Sequence, residues 1–384
     1  MAQPTISIGS TGPAVTYLQQ SLTKLGYNPG PIDGIFGSKT ETAVNLFQKY
    51  NDLVVDGIVG NSTWLTIEKA LASLFTISDY FPVKANTKYM YQSKGNDYST
   101  YSIFVDYLIG SRTQLRYVDS GMDLVRVIEN KDGNLTMLLS KKSDYRENFT
   151  SSPSVNAEIL LKEPLVKGTT WTLADSRKRY ISNVAAEVMT PLGKYIALEV
   201  TTEYKNSKNL DYYALNVGLV KTVFISNGNE ISSTLSKIQN NVLFTNSLNF
   251  YYPNINDSKL YFVSKQLIFK TNDITRTKNE TAYKSLPKGN VSKVLSPNAK
   301  IKSLYLNKAG MVYVDFSKEL VNEMNAGSGY ESMILQCITN TLGIYYGVTK
   351  VNLTVEDKPY SSAHIIMKKG QAFIVNLKDC IELK

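Results

Sequence analysis

The octapeptide pattern Asp-Gly-x-x-Gly-x-x-Thr occurs twice near the start of the chain, as "DGIFGSKT" from Asp33 to Thr40 and as "DGIVGNST" from Asp56 to Thr63. Apolar residues at helical spacing precede each copy, so the repeated unit reads as a helix followed by a tight acidic-glycine turn. Val15, Leu18, Leu22 and Leu25 recur at three- and four-residue steps, which places them on one helical face that needs cover. Gly26 is the expected C-terminal stop of that helix, because glycine takes the left-handed conformation freely. Asp33 and Asp56 suit turns through their short side-chain acceptors, and Gly34, Gly37, Gly57 and Gly60 are expected to supply the positive φ angles. Ser38 and Ser62 are the expected N-caps of the following helices. Ala43, Val44 and Phe47 point inward from the first of these, and the second begins near Thr63 and Trp64.

The run from Ile8 to Ile67 resembles the peptidoglycan-binding module found at the ends of bacterial wall hydrolases and spore-cortex enzymes. The residues that carry the likeness are the opening "GSTGPAVTYLQ", the "LGY" before the first turn, the "FQ" pair and the closing "DGIVGNSTW". The resemblance implies a small three-helix bundle over residues 1–75 that holds wall glycan or its peptide stem without cutting it. The candidate groove comprises Asp33, Gly34, Phe36, Gly37, Asp56, Gly57, Gly60 and Trp64. Its turn amides are expected to meet acetamido or carboxylate groups, and its aromatic faces to pack on sugar rings. For Asp33, Asp56 and the glycines, turn formation stands beside ligand contact as an explanation. Trp64 reads equally as core or as sugar platform.

At 384 residues the chain has room for two to four domains of ordinary size. No stretch is apolar for the ~20 residues that a membrane-spanning helix needs. The start, "MAQPTISIGS", shows neither a basic n-region nor an apolar h-region, so no secretion signal is expected in this chain. A wall-binding module then reaches its polymer by another route, such as mother-cell lysis in a sporulating bacterium, or the chain is shortened at its start. Two cysteines, Cys337 and Cys380, leave a free pair and a single disulfide both open, and give no cysteine-type zinc motif. The single histidine, His364, argues against zinc amidase and triad chemistry, which draw on histidine ligands or a histidine base. No catalytic residue, metal or cofactor is therefore assigned, although a carboxylate-pair glycosidase stays arithmetically possible.

From residue 76 the chain becomes rich in tyrosine, threonine and valine with turn residues between. "TYSIFVDYLI", "TQLRYVDS", "LVRVIENKDGNLTMLLSKK", "TTWTLADSRKRYISNVAAEVMT", "GKYIALEVTTEY" and "DYYALNVGLVKTVFIS" read as strands, with "NKDGN" a hairpin signal. Successive hairpins predict an antiparallel sheet over residues 76–252, curved or closed to manage its edges. "DYFPVKANTKYMY" and "EPLVKGTTWTL" form a faint internal echo. The stretch "VMTPLGKYIALEVTTEY" with "DYYALNVGLVK" resembles a β-rich segment frequent in exported proteins of spore-forming and related bacteria. The asparagine- and serine-rich run over residues 232–259, interrupted by Pro253, reads as a link.

Residues 258–384 alternate strand, helix, paired strands, helix and strand, which predicts an α+β fold with helices on one face of a sheet. "AKIKSLYLNKAGMVYVDFSKEL" reads as a hairpin turning at Asn307 to Gly310, residues 331–346 as a helix closed by Gly347, and "HIIMKKGQAFIVNL" as a final hairpin. This unit resembles the GerMN domain of sporulation and spore-germination proteins, through "LYF" at residues 260–262, "GMVYVDFSKEL", "QCITNTLGIYYGVTKVNLTVED" and "KPYSSAHIIMKKG". The resemblance implies association with sporulation and the spore envelope, without an enzyme activity. Asp315 is expected to cap local backbone and Ser317 to start the next helix.

The net charge of +9 resides almost wholly in residues 258–384, where eighteen basic residues face ten acidic ones. Those lysines lack interleaved stacking aromatics, so nucleic acid is not the expected partner. Anionic wall polymers, spore-envelope proteins or plain solubilisation account for them. The fold expectation is thus multidomain: a three-helix N-terminal bundle, an antiparallel β-rich middle domain and an α+β C-terminal domain. The functional expectation is a non-catalytic peptidoglycan-binding protein that tethers a GerMN-type domain to the cell wall or spore cortex. Two alternatives stand beside it, a wall hydrolase with its site in the middle domain and a structural spore-coat or surface-assembly protein.

Overall fold

The computed structural model describes residues 3–94, 100–119 and 123–383. Helices α1 (Pro13–Lys24), α2 (Ser38–Tyr50) and α3 (Asn61–Ser73) pack around Val15, Leu18, Leu22, Phe47 and Ile67. The apolar spacing read from the sequence thus forms one buried face. Gly26 ends α1 in the left-handed conformation, with Tyr27 N donating to Leu22 O at 2.9 Å. The expected N-caps differ from what the chain does: Gly37, extended at φ −93°, precedes α2, and α3 begins at Asn61.

A short helix, α4 (Ile77–Tyr80), leads out of the bundle, and its Ile77 is buried in the core of the next unit. Twelve strands follow: β1 (Lys88–Lys94), β2 (Tyr101–Ile109), β3 (Arg112–Val118), β4 (Asp123–Lys131), β5 (Asn134–Lys142), β6 (Glu158–Lys162), β7 (Thr170–Thr172), β8 (Lys178–Thr190), β9 (Gly193–Glu203), β10 (Ser207–Ala214), β11 (Gly218–Ser226) and β12 (Asn229–Gln239). All are antiparallel to their neighbours, in the order β6-β5-β4-β3-β2-β1-β12-β11-β10-β9-β8-β7. The sheet is therefore two six-stranded meanders joined where β1 meets β12. The two segments that echo in sequence open the two halves, each with a left-handed residue just ahead of its first strand, Asn86 at φ 55° and Gly168 at φ 92°. The β4–β5 turn is the expected Asp-Gly hairpin, with positive φ at both Asp132 and Gly133.

The sheet curls nearly into a barrel, and side chains tie its two edge strands where backbone pairing stops. Trp171 Nε1 donates to Ile159 O at 3.0 Å, and Arg179 donates to Ile159 O at 2.7 Å and to Glu158 at 2.5 Å. These bonds occupy groups that an open edge would offer to another chain.

The run 232–259, read as a link, is something else. β12 continues to Gln239, and after residues 240–243 strand β13 (Phe244–Asn254) pairs along its length with β14 (Lys259–Phe269). The polar composition misled because Ser232 and Ser233 are buried in the sheet, and Pro253 is tolerated because β13 lies at the edge of its sheet. The remaining elements are α5 (Thr275–Lys284), β15 (Ile301–Leu306), β16 (Val312–Phe316), α6 (Glu319–Asn322), α7 (Ser328–Tyr346), β17 (Lys350–Val355), β18 (Lys358–Pro359), β19 (Phe373–Ile374) and β20 (Ile381–Glu382). Strands β15 and β16 form the expected hairpin, and β17 returns parallel to β16 after the α6–α7 crossover. The anticipated last hairpin is reduced to a single Ser361–Ile366 bridge and the two residues of β19 paired to β17. Cys337 and Cys380 are free thiols.

The barrel and the C-terminal α+β unit share one core. Val125, Val127, Tyr145 and Phe149 of the barrel segment pack with Phe250, Phe269 and Ile338. At this seam Arg146 is fully buried. Its Nη1 donates to Tyr107 Oη at 2.8 Å and to Asp273 O, and its Nη2 donates to Asp106 O at 2.8 Å and Lys270 O at 3.3 Å. The guanidinium lies 4.2 Å from the Tyr107 ring centroid and 4.7 Å from that of Phe269. Asp106 balances it at 3.4 Å, close enough for charge compensation though not aligned as a hydrogen bond, and also binds buried Arg116 at 3.1 Å.

Removal of Arg146 leaves Asp106 with half its compensation and several carbonyls without donors. Arg146→Ala is expected to destabilise the protein by ~3–5 kcal/mol in urea unfolding, and to separate the melting of barrel and C-terminal unit. Next to it, burial pushes the Glu147 carboxyl up to about 7, against the opposing pull of Lys141. An acid with a raised native pKa binds more protons folded than unfolded, so stability falls as pH rises from its ordinary range towards 7 and stays lower above. Glu147→Gln is expected to abolish that slope: thermal melts should show the variant gaining on the parent at pH 8, with the gap closing at pH 5.

Candidate functional site

Each repeated turn is held by a buried glutamine from the helix before it. Gln19 of α1 accepts from Gly34 N at 2.9 Å and donates to Asp33 Oδ1 at 3.0 Å, Ile35 O at 3.1 Å and Thr40 Oγ1 at 3.2 Å. Gln48 of α2 repeats the pattern with Gly57 N at 3.0 Å, Asp56 Oδ1 at 2.8 Å, Ile58 O at 2.9 Å and Thr63 Oγ1 at 3.3 Å. Asp33 and Asp56 also accept from the amides of Ile35 and Ile58, both at 2.9 Å. The Asp, the first Gly and the Thr of the pattern are thus gathered around one carboxamide, whose oxygen takes the glycine amide and whose two N–H hydrogens are shared among three nearby acceptors. The extended segment after the N-terminus stitches both turns, bridging Ile6 to Val59 and Thr11 to Ile35.

Gly34 and Gly57 are left-handed, at φ 73° and 68°. A Cβ on Gly34 would stand 2.7 Å from Thr16 Oγ1. Gly37 and Gly60 do not adopt positive φ, contrary to expectation; they directly precede α2 and α3, and Gly37 is extended there. Gln19 first, then the Ile35 amide, hold the Asp33 carboxyl below its ordinary range, and the Ile58 amide and then Gln48 do the same for Asp56. Both carboxylates are exposed and stay ionised through neutral pH.

The anticipated aromatic platform is not presented to solvent. Phe36 is 1% exposed and Trp64 3%, because both fill the bundle core; Trp64 Nε1 donates to Pro4 O at 2.9 Å. Trp64 instead backs Tyr17, whose ring stacks on it at 5.9 Å. Tyr17 lines an open groove of about 570 Å³ with Thr11, Gly12, Pro13, Thr16, Gln20, Asp33, Gly34 and Ile35. Of the eight residues picked from the sequence, Asp33 and Gly34 line this groove, while Asp56, Gly57 and Gly60 belong to the second turn and lie outside it. Tyr17, Thr16, Gln20 and Ile35 went unrecognised. Thr16, Tyr17 and Gln20 share one stretch of α1, a position readable in sequence, whereas the 55% exposure of apolar Ile35 at the turn tip is a property of the fold with no local signal. The groove offers a carboxylate, hydroxyls, an amide and a phenol raised above its ordinary pKa by burial and so a donor at neutral pH. Such a lining suits a ligand rich in hydroxyl and amide groups with apolar methyls.

Elsewhere, Asp315 Oδ1 accepts from Thr354 Oγ1 at 2.6 Å and Asp357 N at 2.8 Å, so it bonds the neighbouring strand β17 and the turn after it, and not the local backbone that was expected. Ser317 Oγ accepts from Lys300 N at 3.0 Å ahead of α6. His364 is exposed on a loop and not on the strand its alternation suggested. No group of three or more metal-ligating side chains is present among the described residues, and no described helix is long and apolar enough to cross a membrane.

The glutamine clamps yield a stability test. Gln19→Ala and Gln48→Ala each orphan a buried turn amide and are expected to cost ~1–3 kcal/mol in urea unfolding of the N-terminal bundle. Trp64→Ala is expected to cost ~3–5 kcal/mol as a core truncation.

Comparison with known proteins places names on the two ends. Residues 11–67 match the family model described as "Putative peptidoglycan binding domain", and residues 249–361 the model described as "Sporulation and spore germination". Over 76 residues the chain is 42% identical to the type VI secretion system spike protein VgrG3 of Vibrio cholerae, covering 16% of this chain and 8% of that protein. It is 36% identical to the crystallised SleB N-terminal domain, covering 18% of this chain and 96% of that one, at a TM-score of 0.18. It is 18% identical to the tandem GerMN domains of the sporulation protein GerM from Bacillus subtilis, covering 34% of this chain and 46% of that one, at a TM-score of 0.25. The chain thus spans a small part of the spike protein and under half of the GerM structure. Residues 11–67 are a peptidoglycan-binding domain and residues 249–361 a GerMN domain of the sporulation and spore germination family.

Proposed function

We propose that this protein is a non-catalytic tether that holds its GerMN domain against peptidoglycan in the cell wall or spore cortex of a spore-forming bacterium. The observation that carries this reading is the way the three parts are fastened together. Ile77 N donates to Glu163 at 2.9 Å and Asn216 N to Asp79 O at 2.7 Å, so the segment leaving the wall-binding bundle is built into the barrel. The barrel in turn shares its Arg146 seam with the GerMN domain. Binding by the first domain therefore fixes where the last one is displayed. The groove beside Asp33 and Tyr17 supplies hydroxyl, amide and apolar contacts of the kind that amino-sugar polymers present. The lysine excess of the C-terminal unit suits anionic wall polymers or acidic spore-envelope proteins as further partners.

Incubation with dye-labelled intact sacculi, followed by centrifugation, tests the reading. The expected result is co-sedimentation of the protein without release of dye. Dye in the supernatant would identify a hydrolase instead, and failure to sediment would remove the tether.

A further inference from the structure

The open groove does not end at the bundle. Tyr17 and Gln20 line it on one side and, on the other, line a second space of about 150 Å³ where the bundle meets the barrel. Two walls of different character enclose this cleft. The bundle contributes Lys24 from the last turn of α1 and Glu68 from α3. The barrel contributes the aliphatic side chains of Ile196 and Leu198 on β9, and the connecting segment adds the rings of Phe75 and Tyr80.

The charges in this cleft are not held in close ion pairs. Neither Lys24 nor Glu68 makes an ion pair among the described residues, whereas Glu158 near the closing edge of the barrel is paired with Arg177 and Arg179. Glu68 is half-buried, with Lys167 of the barrel as its electrostatic counterpart. A half-buried carboxylate and a free ammonium beside an aliphatic wall match a ligand that carries an amine, a carboxylate and small apolar side chains together. Beyond the cleft, Ile196, Met189 and Leu192 are exposed on the β8–β9 hairpin, with the Lys194–Glu187 ion pair set among them.

We propose that this cleft is a second subsite that takes the peptide stem of peptidoglycan while the glycan lies along the open groove, so that the barrel supplies one wall of the recognition surface. The inference rests on the tether reading above and adds the peptide to it. It gives the middle domain a role in binding, beyond spacing the two ends.

The test uses the full chain with two probes, glycan strands stripped of their peptides and disaccharide-peptide fragments that keep them. Lys24→Glu alters the bundle wall and Ile196→Glu the barrel wall; both positions are exposed, and unchanged thermal melts verify folding. Calorimetric titration should show each variant losing about fivefold or more in affinity for the stem-bearing fragment while binding stripped glycan as the parent does. Equal affinity of parent and variants for the stem-bearing fragment would overturn the subsite and leave the tether intact. Equal losses on both probes would likewise overturn it, placing the glycan in the cleft. If the parent chain binds neither probe nor sacculi, the tether reading falls and the subsite with it.

Discussion

Asp106 sits buried between two buried guanidiniums, Arg116 at 3.1 Å and Arg146 at 3.4 Å, and the junction of the barrel with the C-terminal unit is built around these charges. Arg116 gathers the loop after β5 by donating to Ser143 O and Tyr145 O at 2.7 and 2.9 Å. Arg146, on that same loop, reaches across to Asp273 O and Lys270 O at the end of β14. Ions out of water are costly unless they are paired and hydrogen-bonded. Here the Arg146 Nη groups are bonded to carbonyls on both sides of the seam while its Nε faces Asp106 Oδ1 as a charge pair only, so displacing the barrel against the GerMN domain would break several of these contacts at once. Around it, Tyr345 Oη accepts from Arg146 N at 2.9 Å, and Thr275 Oγ1 donates to Arg146 O at 2.7 Å. Helix α7 and helix α5 are thereby referred to the same loop of the barrel.

Duplication is the second organising constraint, and it works at two scales. In the bundle, one buried carboxamide per copy replaces the hydrogen-bonding that a short turn cannot provide for itself, which is why Gln19 and Gln48 accompany the two acidic-glycine motifs. In the middle domain, two six-stranded meanders meet at β1 and β12 and leave two free edges at β6 and β7. Trp171 and Arg179 cover those edges from the side-chain level. Both devices satisfy polar backbone with side chains, a buried carboxamide in one case and, in the other, Arg179 with the core residue Trp171.

Much of the fold was legible because it depends on local periodicity and turn chemistry. The spacing of Val15, Leu18 and Leu22 defines α1, Asp132-Gly133 defines the β4–β5 hairpin, and Gly347 closes α7 in the left-handed conformation. The GerMN hairpin β15–β16 with its following helix was equally readable. The stretch 232–259 was not, because burial of small polar residues such as Ser233 is decided by neighbouring strands and leaves no alternation of apolar residues to read. Of the eight groove candidates, two meet at the open groove. Asp33 and Gly34 carry a turn signature that is written in sequence and do line the groove. Phe36 and Trp64 were chosen as aromatic contacts because residue type alone does not distinguish a ring that faces a sugar from one that faces Val15 and Ile67.

By itself the sequence determined the repeated turns, the hairpins of the middle sheet and the motifs by which the two end domains are recognised, since each is specified by residues within a few positions of one another, whereas the β1–β12 join of the sheet is long-range. Tertiary structure alone decided which side chains reach solvent at the groove, which charges meet at the Asp106 seam, and that the bundle and barrel enclose a cleft together. Those outcomes depend on groups brought together from distant parts of the chain. Arg146 and Tyr345 meet only because the barrel and α7 are packed on one another, and no local pattern encodes a contact of that range.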